Sequence, residues 1–136
     1  MPITVEEIEP NLICMTYINP VDHVRDPDWV MATSAMIADR HGGPIVRIGD
    51  ATRVKVSFSH LVTAIGLLAT RRPGSLRDGR IINIIVSPHP VGHLAAEFLS
   101  QRQLGELHIP VFETRSEAIA YARELLAEYN TQREQA

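Results

Sequence analysis

The stretch Pro44-Ile-Val-Arg-Ile-Gly-Asp-Ala-Thr-Arg-Val-Lys-Val-Ser-Phe-Ser-His-Leu-Val-Thr-Ala-Ile-Gly-Leu-Leu68 decides the fold. Ile45 to Ile48 is a short apolar run bounded by turn residues and reads as a buried strand. Gly49-Asp50-Ala51-Thr52-Arg53 follows as a turn or bulge, and Val54-Lys55-Val56 alternates as though the strand resumed. From Phe58 the period changes. Phe58, Leu61, Val62, Ile65, Leu68 and Ala69 fall on one helical face, and Ser57 stands where an N-cap is needed. A strand that hands its chain to a helix N-terminus gathers unpaired N–H groups, and such a place binds anions or carries a reactive hydroxyl.

Upstream, residues 3–8 and 11–18 are extended runs separated by Glu9-Pro10, which predicts an antiparallel hairpin. The second run is almost continuously apolar and belongs in the middle of a sheet; the first alternates and belongs at an edge. Asp26 as N-cap, Pro27 at the first helical position and Asp28 beside the dipole predict a helix from Pro27 to about Arg40, closed by Gly42-Gly43. Its inward residues are drawn from Val30, Met31, Ala35, Ile37 and Ala38.

Downstream, residues 71–80 form a Pro/Gly-punctuated loop. Arg80 to Ser87 contains the most β-branched run in the chain and reads as a buried parallel strand. Val91 to Leu104 reads as a helix with Leu94, Ala95, Phe98 and Leu99 inward and Gly105 at its end. Leu107 to Phe112 is a last strand, kept at an edge by Pro110. Thr114-Arg115-Ser116-Glu117 matches a capping box, and the helix it opens shows Ile119, Ala122, Leu126 and Tyr129 on one face. The order β-β-α-β-α-β-α-β-α predicts an α/β fold with a mixed five-stranded sheet. It occupies residues 1–130 as a single domain, with 131–136 a fraying polar tail.

Composition narrows the function. With 136 residues and 45% hydrophobic content the chain supports one core. Thirteen basic against 16 acidic residues give a formal net charge of −3, so no global attraction to nucleic acid or anionic membrane is expected. The single cysteine, Cys14, excludes an internal disulfide and sits in an apolar run, as a buried structural thiol does. Without a signal-like start or an apolar run of membrane-spanning length, a soluble, cytoplasmic protein is expected.

The hairpin, the alternating helices and strands, the serine-capped second helix and the closing Val-Phe-Glu-Thr-x-x-Glu-Ala-Ile segment together resemble the STAS or SpoIIAA-like family. That family includes anti-sigma-factor antagonists and small stand-alone proteins. The resemblance implies a non-enzymatic regulatory or protein-binding module. It also implies a phosphoacceptor hydroxyl at the second helix start, where this chain has Val56-Ser57-Phe58-Ser59-His60. Neither serine is preceded by Asp or followed by Gly, as in the family's Asp-Ser-Ser-Gly run.

Ser57 and Ser59 are therefore helix caps first and phosphoacceptor or anion-facing candidates second. Asp50, His60, His89, Arg71 and Arg72 are binding-surface candidates near the same strand ends. A Ser–His hydrolase would need Ser57 or Ser59 bonded to His60 or His89, with Asp50 as the nearby orienting carboxylate. His89 and His93 have a metal-ligand spacing that Pro90 interrupts, so no metal or cofactor is expected. The arginines of the 71–80 loop read first as a solvated loop, with no aromatic residue interleaved, and second as a site for a phosphate or an acidic surface. The partners expected are another protein or a second copy in a homodimer. The alternative is a small apolar ligand, for which the sequence predicts a cavity near Phe58, Leu61 and Phe98.

Overall fold

The computed structural model describes residues 3–55, 57–101 and 106–135. Along the chain lie β1 (Ile3–Glu9), β2 (Leu12–Tyr17), α1 (Arg25–His41), β3 (Ile45–Asp50) and α2 (Phe58–Leu68). They are followed by β4 (Ile81–Val86), α3 (Pro90–Leu99), β5 (Val111–Phe112) and α4 (Arg115–Gln135). The strands form one mixed sheet in the order β1-β2-β3-β4-β5; β1 is antiparallel to β2 and every other pair is parallel. Each crossover steps one strand in the same direction. Right-handed connections then force α1, α2 and α3 onto one face, and α4, which follows the last strand, covers the other.

Side-chain alternation separates the two faces. On the α1 side, Ile13 and Met15 of β2, Ile45 of β3 and Ile81 of β4 pack with Val30, Ile37 and Ala38. On the α4 side, Leu12, Cys14, Val46, Ile48, Ile84 and Val86 pack with Ala118 and Ala122. Alternation puts Arg47 and Gly49 of β3 and Asn83 of β4 on the α1–α3 face. There a third cluster, Ile65, Ala69, Ala95 and Leu99, joins α2 to α3.

Two predicted caps are present. Ser57 Oγ accepts the His60 N–H at 3.3 Å, and Thr114 Oγ1 accepts the Glu117 N–H at 3.3 Å. The first helix begins earlier than its Asp-Pro-Asp signal suggests. Asp22 Oδ1 accepts the Val24 and Arg25 N–H groups, which holds its carboxyl below the usual range, while Asp26 Oδ2 accepts the Asp22 N–H in return. Asp26 is therefore inside the first turn and buried.

The β3 strand runs through to Asp50, because Gly49 and Asp50 find partners in β2 and β4. No strand resumes at Val54 and Lys55, and Val56 lies outside the described residues. The α3 helix stops at Leu99 rather than Leu104; Gly105 also lies outside the described residues. Only Val111 and Phe112 of the last predicted strand pair, at the sheet edge after Pro110. The last helix continues through the expected tail to Gln135.

One backbone contact fastens the loop before β4 to the helix layer. Gly74 has φ +81°, and a Cβ there would stand 1.8 Å from the Met31 carbonyl oxygen. Gly42 has φ +65° with open space around it. Gly74→Ala is therefore expected to cost about 3 kcal/mol or more and Gly42→Ala about 1 kcal/mol, read as shifts in denaturant midpoint. Equal costs would mean that the φ angle matters and the Met31 contact does not.

Candidate functional site

The α1–α3 face of the sheet is not filled. Beneath the helices lies a predominantly apolar cavity of about 200 Å³. Tyr17 at the end of β2, Gly49 and Ala51 at the end of β3, and Ser87 after β4 frame one end. Leu61, Ala64, Ile65 and Leu68 of α2 roof it, and Ala95 and Leu99 of α3 wall it. The position agrees with the rule that open α/β sheets bind ligands beyond the carboxyl ends of their strands. Of the three residues expected around such a cavity, only Leu61 lines it. Phe58 is 54% exposed, and Phe98 packs within the α2–α3 cluster.

The roof is thinly anchored. Although the α2 stripe is strongly apolar, Ile65 is the only buried residue between Phe58 and Leu68. At the rim the rings of His23 and His60 stack, with centroids 4.2 Å apart and planes 10° from parallel.

The deep end is polar. Arg47, 4% exposed at the centre of β3, donates from Nε and Nη2 to Asn83 Oδ1 at 3.1 and 2.7 Å. Its Nη1 donates to Ser34 Oγ at 3.0 Å and to the Gly74 carbonyl at 2.6 Å. All three acceptors are neutral, and burial pulls the guanidinium pKa downward; arginine nevertheless remains cationic in proteins. Asp78, whose field reaches Arg47, is committed elsewhere. It accepts the Gly74 N–H at 2.8 Å and pairs with Arg80 at 2.9 Å, an ion pair that holds its carboxyl well below the usual range. Among the described residues no carboxylate lies within 4.0 Å of Arg47. Beside it, burial raises the Tyr17 pKa.

The sequence-derived candidates fall mainly outside this centre. Ser57 and Ser59 are exposed, with hydroxyls 3.2 Å apart. Among the described residues neither hydroxyl meets an imidazole, so the geometry offers no Ser–His pair. His60 reaches the rim through its ring. Asp50 is buried, and its Oδ1 accepts from the Thr52 N–H and hydroxyl at 3.0 and 2.7 Å; it closes its own turn and orients no histidine.

His89 is the N-cap residue of α3 with no side-chain cap bond, and His93 is exposed. Among the described residues no three His, Cys, Asp or Glu side chains gather as a metal site would require. Arg71 is exposed, Arg72 pairs with Asp28 at 2.7 Å, and Arg80 pairs with Asp78 and Asp39, so the loop does not present its arginines as one anion cradle. Cys14 is buried on the far side of the sheet, and burial raises its pKa. Sequence reading missed Arg47 and Asn83. Their only signal is a polar residue at the centre of each of two buried, adjacent apolar strands.

In comparisons with known proteins, no family model matches the chain, and no curated protein or solved structure matches it either. Among the described residues no helix is long and apolar enough to cross a membrane.

Asp78 supports the Arg47 acceptor through Gly74, and its depressed pKa sets a pH signature. A folded carboxyl that stays ionised after the unfolded one protonates contributes stability that is complete above about pH 4 and lost below it. Asp78→Asn should cost about 2 kcal/mol at pH 7. In denaturant titrations the gap to wild type should narrow as pH falls from about 4 toward 2; a gap independent of pH would contradict this role.

Proposed function

We propose that this chain is a binding module without turnover that holds a small, largely apolar molecule between the sheet and α1–α3. The observation that carries the reading is the cavity of about 200 Å³ under a thinly anchored α2. The cavity is partly open to solvent, so a ligand entering it would displace water from chiefly apolar walls. A fold that keeps such a volume unfilled gains most when a ligand occupies it, because the ligand restores the missing dispersion contacts.

Size narrows the ligand. A cavity of about 150 Å³ accommodates benzene, so this one suits a molecule of roughly six to ten heavy atoms. Calorimetry with 1-octanol tests the reading. Wild type is expected to bind, and Ala64→Phe, which projects a ring from the roof, to lose binding at a stability cost of about 1–3 kcal/mol. Absence of binding to wild type, or unchanged binding to the folded variant, would overturn it.

A second reading, a regulatory protein-binding module, draws support from the exposure of four consecutive residues, Ser57 to His60, on the first turn of α2. A phosphate on Ser57 would face the positive end of that helix. Because Asp is a good N-cap, Ser57→Asp should stay folded. It should also fail to retain a partner that wild type retains in a pull-down; equal retention counts against the switch.

A further inference from the structure

Resting on the cavity reading above, we propose that the ligand is a monocarboxylate with a short apolar chain. Its carboxylate sits against the Arg47 guanidinium and its chain lies along Leu61, Ile65 and Ala95. Charge carries the assignment. Arg47 is buried, lines the cavity, and has only neutral acceptors among the described residues. Its four hydrogen bonds use four of the five guanidinium N–H donors, leaving one for a ligand. A buried cation with no carboxylate in direct contact among the described residues is costly, and an anion that reaches it recovers part of that cost through a charge-assisted hydrogen bond.

The neighbouring groups set the number of charges. Tyr17 also lines the cavity, and its hydroxyl is a further donor available to a carboxylate oxygen. Asp26 also lines the cavity, with its carboxylate accepting the Asp22 N–H. Its field disfavours a second negative charge, so Arg47 balances one carboxylate and a dianion is rejected. Asp78 cannot serve as the internal counter-ion, since Arg80 and the Gly74 N–H already hold it. The remaining walls are chiefly apolar and match an alkyl chain rather than a sugar or a nucleotide.

Octanoate and 1-octanol, nearly equal in shape and different in charge, separate the two proposals in calorimetric titrations near pH 7. Wild type should bind octanoate about tenfold or more tightly than 1-octanol. Binding of the alcohol with no preference for the acid would overturn the carboxylate assignment and leave the cavity reading standing; no binding of either would overturn both.

Arg47→Met should abolish the preference. Because removing a hydrogen-bonded buried cation can unfold the chain, Asn83→Asp provides the second arm. It keeps the shape of a residue already bonded to Arg47 and supplies the counter-ion from within. That variant should remain folded, bind 1-octanol as wild type does, and bind octanoate no more tightly than the alcohol. Retention of the octanoate preference in folded Asn83→Asp would show that Arg47 does not receive the carboxylate.

Discussion

A guanidinium buried at the centre of a parallel sheet is the constraint on which the rest of this fold turns. Arg47 joins four separate pieces of chain: its own strand β3, the adjacent β4 through Asn83, α1 through Ser34, and the loop before β4 through the Gly74 carbonyl. Hydrogen bonds to a charged group contribute about 1.5–3 kcal/mol each, against a desolvation penalty of several kcal/mol for the ion. These terms are of similar size, so the arrangement adds little net stability. What it does is position: no apolar residue could hold a loop carbonyl, a serine and an asparagine at fixed places around one point.

That position explains the cavity. The loop carrying Gly74 is pressed onto Met31 and tied by Asp78 and Arg80, so the deep end is rigid. The α2 helix, by contrast, enters through a polar, partly exposed connection after Asp50 and is gripped mainly at Ile65 and Ala69 by α3. One end of the face is thus held by charge and hydrogen bonds, and the other is roofed by a helix whose first turn projects into solvent. The cavity lies between these two unlike supports.

Much of the layout was legible in the sequence. Periods of two and near four located nine elements, and the Ser57 and Thr114 caps followed from side-chain chemistry within three residues of each helix start. The boundaries that went astray were decided by distant partners. Gly49 and Asp50 look like a turn until β2 and β4 pair with them, and Asp26 looks like an N-cap until Asp22 is seen to hold the N–H groups. The loop arginines concentrate positive charge in the sequence. Arg80 pairs with the nearby Asp78, but Asp28 is 44 residues from Arg72 and Asp39 is 41 from Arg80, separations that no local pattern reveals. Arg47 and Asn83 were hidden for the same reason: lying opposite one another in the β3–β4 register makes them a site, and each alone is only a polar break in an apolar run.

The most direct test of the central claim is the NMR resonance of the Arg47 Nε–Hε group. A guanidinium buried, bonded to Asn83 and left without a carboxylate should give a resolved, slowly exchanging signal at neutral pH. That signal should shift on addition of octanoate and stay in place on addition of 1-octanol, while the backbone amides of α2 respond to both. An Arg47 signal that exchanges rapidly with water, or one unmoved by octanoate while α2 amides shift, would contradict the account.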